Sequence, residues 1–517
     1  MVKKDCVIGI DCSTSASKAI IWDKAGNCIA EGRYEIPLLV PRPEWAEQEA
    51  EKWWDATVRA VKTAVRQVDK NRIGAIGITH QRESFVPLDS NMKPLRNGIL
   101  WLDTRAVYEV EQLKTLGAEK IHKKTGLFPN LYASNVKIMW IRENEPRLFE
   151  SVYKFMDVFA FLAWKFTGRM VTSWPSADPM GLVNMEDLCW DDEILNIVGV
   201  KEDQLCELAA PGEIVGEITK EASSALGLPE GIPLTGGGGD GQCAALGAGV
   251  VEEGRASLNM GTAVVSELYS EKYITGDTFR TMCGCVPRTY VPESIMAAGT
   301  FILNWYIKEF GRRETEQARS ESIPVTKVFE DLAAGIGPGK PRLLMLPYLK
   351  GSSAPSWDPF AKGVMLGLCE GTTGAHFYRS IMEGIAFEQK FMYEQMEMSL
   401  NSKIKEIVLL GGGAKSPLWR QIIADITGIP ILIPPSLETT CLGAGMLAAP
   451  AAGLYQSVFE ASKGMSSVSE TCVPIEKNLG FYKKIYDRVY RLLFPRIQDL
   501  VDEFTKLTSS ENLDEGV

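Results

Sequence analysis

Apolar and polar positions divide the opening stretch of the chain into strands and turns. Residues 7–10, Val-Ile-Gly-Ile, form a short apolar run of the buried-strand kind. Residues 11–17 are a polar turn, and 18–22 resume the strand. Residues 24–27, Lys-Ala-Gly-Asn, make a second turn, and 28–36 a third strand. From 48 to 68, Trp53, Trp54, Val58, Val61 and Val65 recur at helical spacing, which predicts an amphipathic helix. Another strand follows over 73–79. Three antiparallel strands succeeded by helix and strand is an α/β or α+β pattern.

A related pattern returns halfway along. Residues 256–259 read as a strand, 260–262 (Met-Gly-Thr) as a turn and 263–269 as a strand. Farther on, the apolar strand 407–410 runs into Gly411-Gly412-Gly413, and a helix carrying Trp419, Ile422 and Ile423 starts from Ser416. The two halves thus read as two versions of one unit, with the Gly- and Ala-rich stretch 239–253 as the hinge. The expected division is 1–249 and 250–517. The chain closes with a helix over 477–507, interrupted at Pro495.

Composition narrows the function classes. At about 150 residues per domain, 517 residues make two large units or three smaller ones, and 45% hydrophobic with 23% charged is ordinary for a globular protein. The net charge of −11 argues against a nucleic-acid surface, though not against a locally held phosphate. Eleven scattered cysteines without a CxxC, and only three histidines, disfavour a zinc or histidine-based metal centre. Since no apolar run is long enough for a signal segment or a membrane span, the expected setting is the reducing cytosol, with no membrane partner.

Several motifs carry chemistry. Asp11-Cys12-Ser13-Thr14-Ser15-Ala16-Ser17-Lys18 is a hydroxyl-rich turn entered by an acid and left by a cation. Such a turn can hold phosphate through Thr14, the turn amides and Lys18, with Asp11 facing Mg2+ through water; a plain Ser-rich hairpin is the alternative. Thr235 to Gly249 contains a literal GxGxxG at Gly236, Gly238 and Gly241. Asp240 inside that loop would repel a pyrophosphate and suits a general base better, or else an N-cap on a helix over 242–246. The Gly411–413 cluster lets a flat ring approach the backbone, or is a tight strand-to-helix turn. Gly339-Lys340 runs into Pro341, so a P-loop is absent. Arg82 and Glu83, at the end of the strand from 73, can fork onto hydroxyls, one donating and one accepting, unless they form a surface ion pair. Trp101 with Asp103, and Tyr132, can wall a small polar pocket.

Together these motifs resemble the FGGY family of carbohydrate kinases, which includes glycerol kinase, xylulokinase and gluconokinase. The resemblance covers nearly the whole chain. The Asp11–Lys18 turn is similar to the family's first phosphate motif and Leu258 to Val264 (LNMGTAV) to its second. The long C-terminal signature is matched by Gly363 to Leu368, His376-Phe377 and Ser380 to Glu383. Pro355 to Pro359 resembles the segment leading into it, and Gly411 to Ala424 the adenosine motif.

The resemblance implies two actin-like (ribonuclease-H-like) domains with the site in the cleft between them. It implies ATP and Mg2+, and a small sugar or polyol as the partner. By position it implies Asp240 as catalytic base. Phosphate and ATP contacts would fall to Ser13, Thr14, Lys18, Gly261, Thr262 and Gly299, with Gly412, Gly413 and Ser416 in the adenosine region. Arg82, Glu83, Trp101, Tyr132 and Asp240 fall where glycerol kinase holds its substrate, and Asp11 and Asp240 would face the metal. The expected activity is xylulokinase-like phosphorylation of a small ketose or polyol. The rivals are a glycerol or tetritol kinase and a catalytically silent sugar or nucleotide sensor. Dimers and tetramers occur in the family, so a homodimer is the partner expectation, with nothing in the sequence selecting it.

Departures are specific. Ser13 replaces the family's usual glycine. Ser352-Ser353-Ala354 stands where xylulokinases commonly have Glu-Arg-Thr, and His80 to Glu83 is closer to glycerol kinase. Gly241 replaces glycerol kinase's glutamine, which suggests room for an acceptor longer than three carbons.

Overall fold

The structure, a computed structural model, describes residues 4–337, 343–352, 358 and 360–508. The tripeptide Gly339-Lys340-Pro341 and, apart from Asp358, the segment 353–359 lie outside those residues.

The opening pattern folds as read. β1 (Cys6–Cys12), β2 (Ala16–Asp23) and β3 (Cys28–Glu35) form an antiparallel meander. Helix α1 (Ala50–Val65) buries Trp53, Ala56, Ala60, Val61 and Ala64 in the core beside it. Strand β4 (Ile73–His80) is buried at every position and runs parallel to β1, so its apolar run is unbroken rather than alternating. An insertion follows that includes α2 (Ser134–Asn144) and α3 (Val158–Thr167). Strands β5 (Ile214–Glu217), β6 (Pro233–Thr235) and β7 (Gly238–Gly239) complete a seven-stranded sheet of order β5-β6-β4-β1-β2-β3, with β7 on β4. Helix α4 (Asp240–Gly247) leaves this sheet.

The second half repeats the arrangement. β8 (Arg255–Met260), β9 (Val264–Leu268), β10 (Arg280–Cys283) and β11 (Tyr290–Met296) are antiparallel neighbours in the order β10-β11-β9-β8. After α5 (Thr300–Phe310) and the long α6 (Gly374–Leu400), β12 (Glu406–Leu410) joins β8 in parallel. Then come α7 (Pro417–Thr427), β13 (Ile431–Ile433), α8 (Thr439–Ala448) and the edge strand β14 (Glu470–Cys472). In the first sheet three antiparallel strands, and in the second four, are followed by a strand parallel to the first of them, so the two-unit reading holds.

Each half lends a helix to the other's sheet. The Cys441 thiol of α8 donates to Gly9 O of β1 at 3.0 Å, and Trp22 Nε1 of β2 donates to Cys441 O at 3.2 Å. Ala244, Ala245 and Ala248, in and just after α4, pack with Val408, Leu410 and Leu432 of the second sheet. Where the two helices cross, a Cβ on Gly247 would lie 2.0 Å from Thr439 O, and one on Gly443 2.0 Å from Cys243 O. Only hydrogen fits at both positions.

The C-terminal helix corrects the sequence reading. The interruption is not at Pro495 but upstream: α9 (Glu476–Ile485) passes through a π-type turn, Tyr486–Tyr490, into α10 (Arg491–Thr508), which contains Pro495. The helix runs on through Pro495, which removes one donor inside α10, while the change of hydrogen-bond register falls before it at Tyr486–Tyr490. Among the described residues no helix is long and apolar enough to cross a membrane.

Candidate active site

Parallel strand ends collect the first group of residues. Cys12 of β1 and Gly239 of β7 both pair with His80 of β4, so Asp11, Gln81 and Asp240 emerge from one sheet edge, the usual place for a ligand crevice. In the β1–β2 turn Ser13 N and Oγ both donate to Ala16 O, at 3.0 and 2.8 Å. The serine that replaces the family's glycine therefore braces the turn. Thr14 Oγ1 donates to Gln81 Oε1 at 2.9 Å and accepts from Trp101 Nε1 at 2.9 Å. Its single proton is committed to Gln81, and a phosphate contact from this hydroxyl would displace that bond. Lys18 Nζ lies 2.6 Å from Glu438 Oε2, just ahead of α8.

A second group lies at the matching edge of the second sheet. Gly261 O, in the β8–β9 turn, accepts from Thr300 N and Oγ1, both at 2.9 Å. A Cβ on Gly299 would sit 2.6 Å from Thr262 O, so Gly261, Thr262 and Gly299 form one close-packed corner. Asn259 pairs with Leu410, which brings Gly411–413 beside it. Gly411 has φ +76°, and a Cβ there would lie 2.5 Å from Asn259 Oδ1. Gly412 meets nothing within 4 Å and leaves backbone open. Ser416 Oγ caps α7 by accepting from Trp419 N at 3.1 Å.

Asp240 is not the N-cap of its helix. Gly239 takes that position without a side-chain bond, and Asp240 is the first helical residue. Its Oδ1 accepts from Gly241 N at 2.8 Å and pairs with Arg82 Nε at 2.9 Å. Arg82 Nη1 continues to Glu293 Oε2 at 2.7 Å, and Glu293 Oε1 pairs with Arg280 Nη2 at 2.6 Å. Arg280 Nη1 closes on Glu83 Oε1 at 2.8 Å. Arg82 and Glu83 are thus a buried charge lattice joined to β10 and β11, neither a surface pair nor a free fork. Arg82 is held well above its usual range by Glu293, Asp240 and Glu83, against burial, the largest effect on it.

The Gly241 expectation is corrected by the same lattice. A Cβ there would lie 2.9 Å from Glu293 Oε2 and 3.0 Å from both terminal nitrogens of Arg82. The space is filled by that ion pair and is not open for a longer acceptor.

Trp101 and Tyr132 are half-exposed, their rings 6.1 Å apart and inclined at 42°. Lys137 of α2, fully buried, ties their loops together. Its Nζ donates to Leu100 O at 2.8 Å, Trp101 O at 3.0 Å and Tyr132 O at 2.7 Å. Burial pulls Lys137 down to about 7, with Glu83 and Asp103 opposing. Asp103, expected beside Trp101 as a pocket wall, is instead buried, accepting from Ala46 N at 2.6 Å and pairing with Arg105 at 2.6 Å. It sets the backbone and does not line the pocket. The sequence reading missed Arg280, Glu293 and Lys137; the one local signal was a charge set within or beside apolar strand or helix positions.

The fit to Mg2+ rests on Asp11. Its Oδ1 is buried without a hydrogen-bond partner. Burial first, then the charge of Asp240, push Asp11 up to about 7, with Lys18 opposing. A divalent cation suits that orphaned oxygen and relieves the carboxylate repulsion. Among the described residues no group of three or more Asp, Glu, His or Cys could hold a metal alone. The remaining ligands would then be water and phosphate oxygens, as Mg2+ is ordinarily held.

Comparison with known proteins identifies the family. The N-terminal domain of the FGGY family of carbohydrate kinases matches residues 6–247, and the C-terminal domain of that family residues 256–452. A glycerol kinase of Thermococcus gammatolerans is 34% identical over 463 residues, 88% of this chain and 90% of that protein. Among solved structures, a ligand-bound xylulose kinase from Lactobacillus acidophilus superposes with TM-score 0.88 at 25% identity, covering 96% of this chain and 99% of that one. A gluconate kinase from the same organism gives 0.87 at 26%, covering 97% and 99%. The two units have the actin-like, ribonuclease-H-like fold. The chain belongs to the FGGY family of carbohydrate kinases, ATP-dependent phosphotransferases with an alcohol group as acceptor.

Proposed function

We propose that the enzyme transfers the γ-phosphoryl group of ATP to a hydroxyl of a short, uncharged polyol or ketose, a glycerol-type polyol first. The observation that carries this reading is the Asp240 carboxylate, half-open to solvent and oriented by buried Arg82 at 2.9 Å. Trp101, Tyr132, Arg82 and Glu83 form the acceptor side in this reading. The glycine corner around Gly261, Thr262 and Gly299 takes the phosphates, and Gly412, Gly413 and Ser416 the adenosine. The hinge lies in 239–253, between units 1–249 and 250–517. The eleven free thiols suit a cytosolic setting.

Both contacts of Asp240 fall on Oδ1, which leaves Oδ2 for the proton of the acceptor hydroxyl. As that hydroxyl oxygen bonds to the γ-phosphorus, the bond from phosphorus to the β,γ-bridging oxygen breaks and ADP leaves. The proton passes to Asp240. Mg2+, when bound, supplies charge neutralisation at the phosphate oxygens. The turn amides of Thr14 and Ser15 and the backbone of Gly261 and Thr262 align the chain of phosphates. Closure of the two units excludes water, which limits wasteful hydrolysis.

The xylulokinase-like expectation loses one support, since the room inferred at Gly241 is filled. A ketose acceptor remains the second reading, favoured by the 0.88 superposition on a xylulose kinase. The test is Asp240→Asn, nearly isosteric. Its kcat is expected to fall by about 10²–10⁴-fold, while calorimetric binding of ATP and acceptor persists. Turnover near the wild-type value would remove Asp240 from the role of base.

A further inference from the structure

Two charged side chains reach the acceptor side from the second sheet, Arg280 at the start of β10 and Glu293 within β11. Glu293 is 1% exposed and spans two guanidiniums, Arg82 Nη1 at 2.7 Å and Arg280 Nε at 2.6 Å. With Asp240 and Glu83 at its ends, the row reads acid, base, acid, base, acid. We propose that Arg280 and Glu293 determine acceptor specificity, holding Arg82 and Glu83 as a lattice that admits an uncharged polyol and excludes an anionic one. The proposal rests on the kinase reading above and narrows its substrate class.

Three carboxylates face two guanidiniums, so the lattice carries a net negative charge with no spare cation. An aldonate or glycerate would set its carboxylate against that net negative charge, and could pair in full with a guanidinium only by displacing a buried carboxylate. A neutral hydroxyl can donate to a carboxylate edge, or accept from a remaining guanidinium N–H, without breaking any pair. Behind the lattice, burial and the Glu293 charge push Glu267 up to about 8; further negative charge is already resisted at this spot. Glu83 sits at φ +58°, a conformation uncommon for a side-chain-bearing residue, and Arg280 pins its carboxylate. Arg280 is therefore a positioning residue acting through Glu83 and Glu293. The absence of a side chain at Gly241 belongs to the same device, because a Cβ would strike the Arg82–Glu293 pair.

The test uses the full-length enzyme with Mg-ATP and acceptors paired by chain length, glycerol with glycerate and erythritol with erythronate. The wild type is expected to favour the neutral member by at least about 100-fold in kcat/KM. Glu293→Gln, which releases guanidinium donors, is expected to reduce that preference about tenfold or more. The change should appear in acceptor KM rather than kcat, with the KM for ATP moving less than about twofold. Arg280→Lys keeps the charge but loses the fork, and is expected to raise the neutral acceptor's KM about tenfold. Thermal midpoints of both variants check their folding. Wild-type acceptor ratios and KM values in both folded variants would overturn the proposal. A wild type that phosphorylates none of these acceptors would count against the kinase reading instead. Calorimetry on the same pairs then decides the lattice's role: a neutral preference lost in Glu293→Gln supports it, and equal binding of both members overturns it.

Discussion

Lys137 spends all three ammonium protons on the carbonyls of Leu100, Trp101 and Tyr132, so the spacing of the aromatic wall depends on its charge state. A neutral amine has only two N–H donors, and one carbonyl then loses its partner. With the lysine pulled down to about 7, acceptor KM is expected to rise as pH passes upward through that value and to level off above it. Lys137→Met leaves the carbonyl of buried Leu100 unpaired, at about 1–3 kcal/mol, and releases those of half-exposed Trp101 and Tyr132; it is expected to raise acceptor KM at all pH values and flatten the pH profile. Steady-state KM measured from pH 6 to pH 9 reads both effects. An unchanged profile with only a lower thermal midpoint would make Lys137 structural. At this scale the sequence showed residues whose motif is local: Asp11, Thr14 and Lys18 within one turn, and Asp240 within one glycine loop. It hid Glu293 and Arg280, because their partners Arg82 and Glu83 lie 211 and 197 positions away. No spacing rule connects residues so far apart.

Helix α4 concentrates the site's demands on one element. Its first turn presents Asp240, its second residue must lack a side chain, and its last, Gly247, must let α8 pass. Gly241→Ala is expected to displace the Arg82–Glu293 pair, since those groups are held by buried ion pairs and cannot simply swing away. The overpacking cost, about 1–3 kcal/mol, should raise acceptor KM by up to about 5–150-fold while ATP affinity holds. Equal loss of both affinities would mean that the helix as a whole had shifted. Elements with a strong period were legible: β1, β2, α1 and β4 agree with the sequence reading to within a few residues. The break in the last helix was misplaced because a proline marks a missing donor, which this helix tolerates, and no local sequence signal marks the register change at Tyr486–Tyr490.

At the scale of the molecule, two copies of one sheet topology face each other and exchange a helix. The repetition was legible because both halves open with strand, hydroxyl-bearing turn and strand. The exchange was not, since it depends on glycine contacts between residues such as Cys243 and Gly443. The charge lattice is likewise a product of assembly: Arg82 and Glu83 come from the first sheet's edge, Arg280 and Glu293 from the second. In the proposed reading, acceptor recognition therefore depends on the juxtaposition of the halves, with Asp240 between them.

Phosphorus NMR of the full-length enzyme with Mg-ATP and a panel of glycerol, erythritol, xylulose and ribulose tests the central claim most directly. The account predicts one phosphomonoester appearing in step with ADP, from a neutral acceptor. ADP accompanied only by inorganic phosphate, or no turnover of any acceptor, would contradict it.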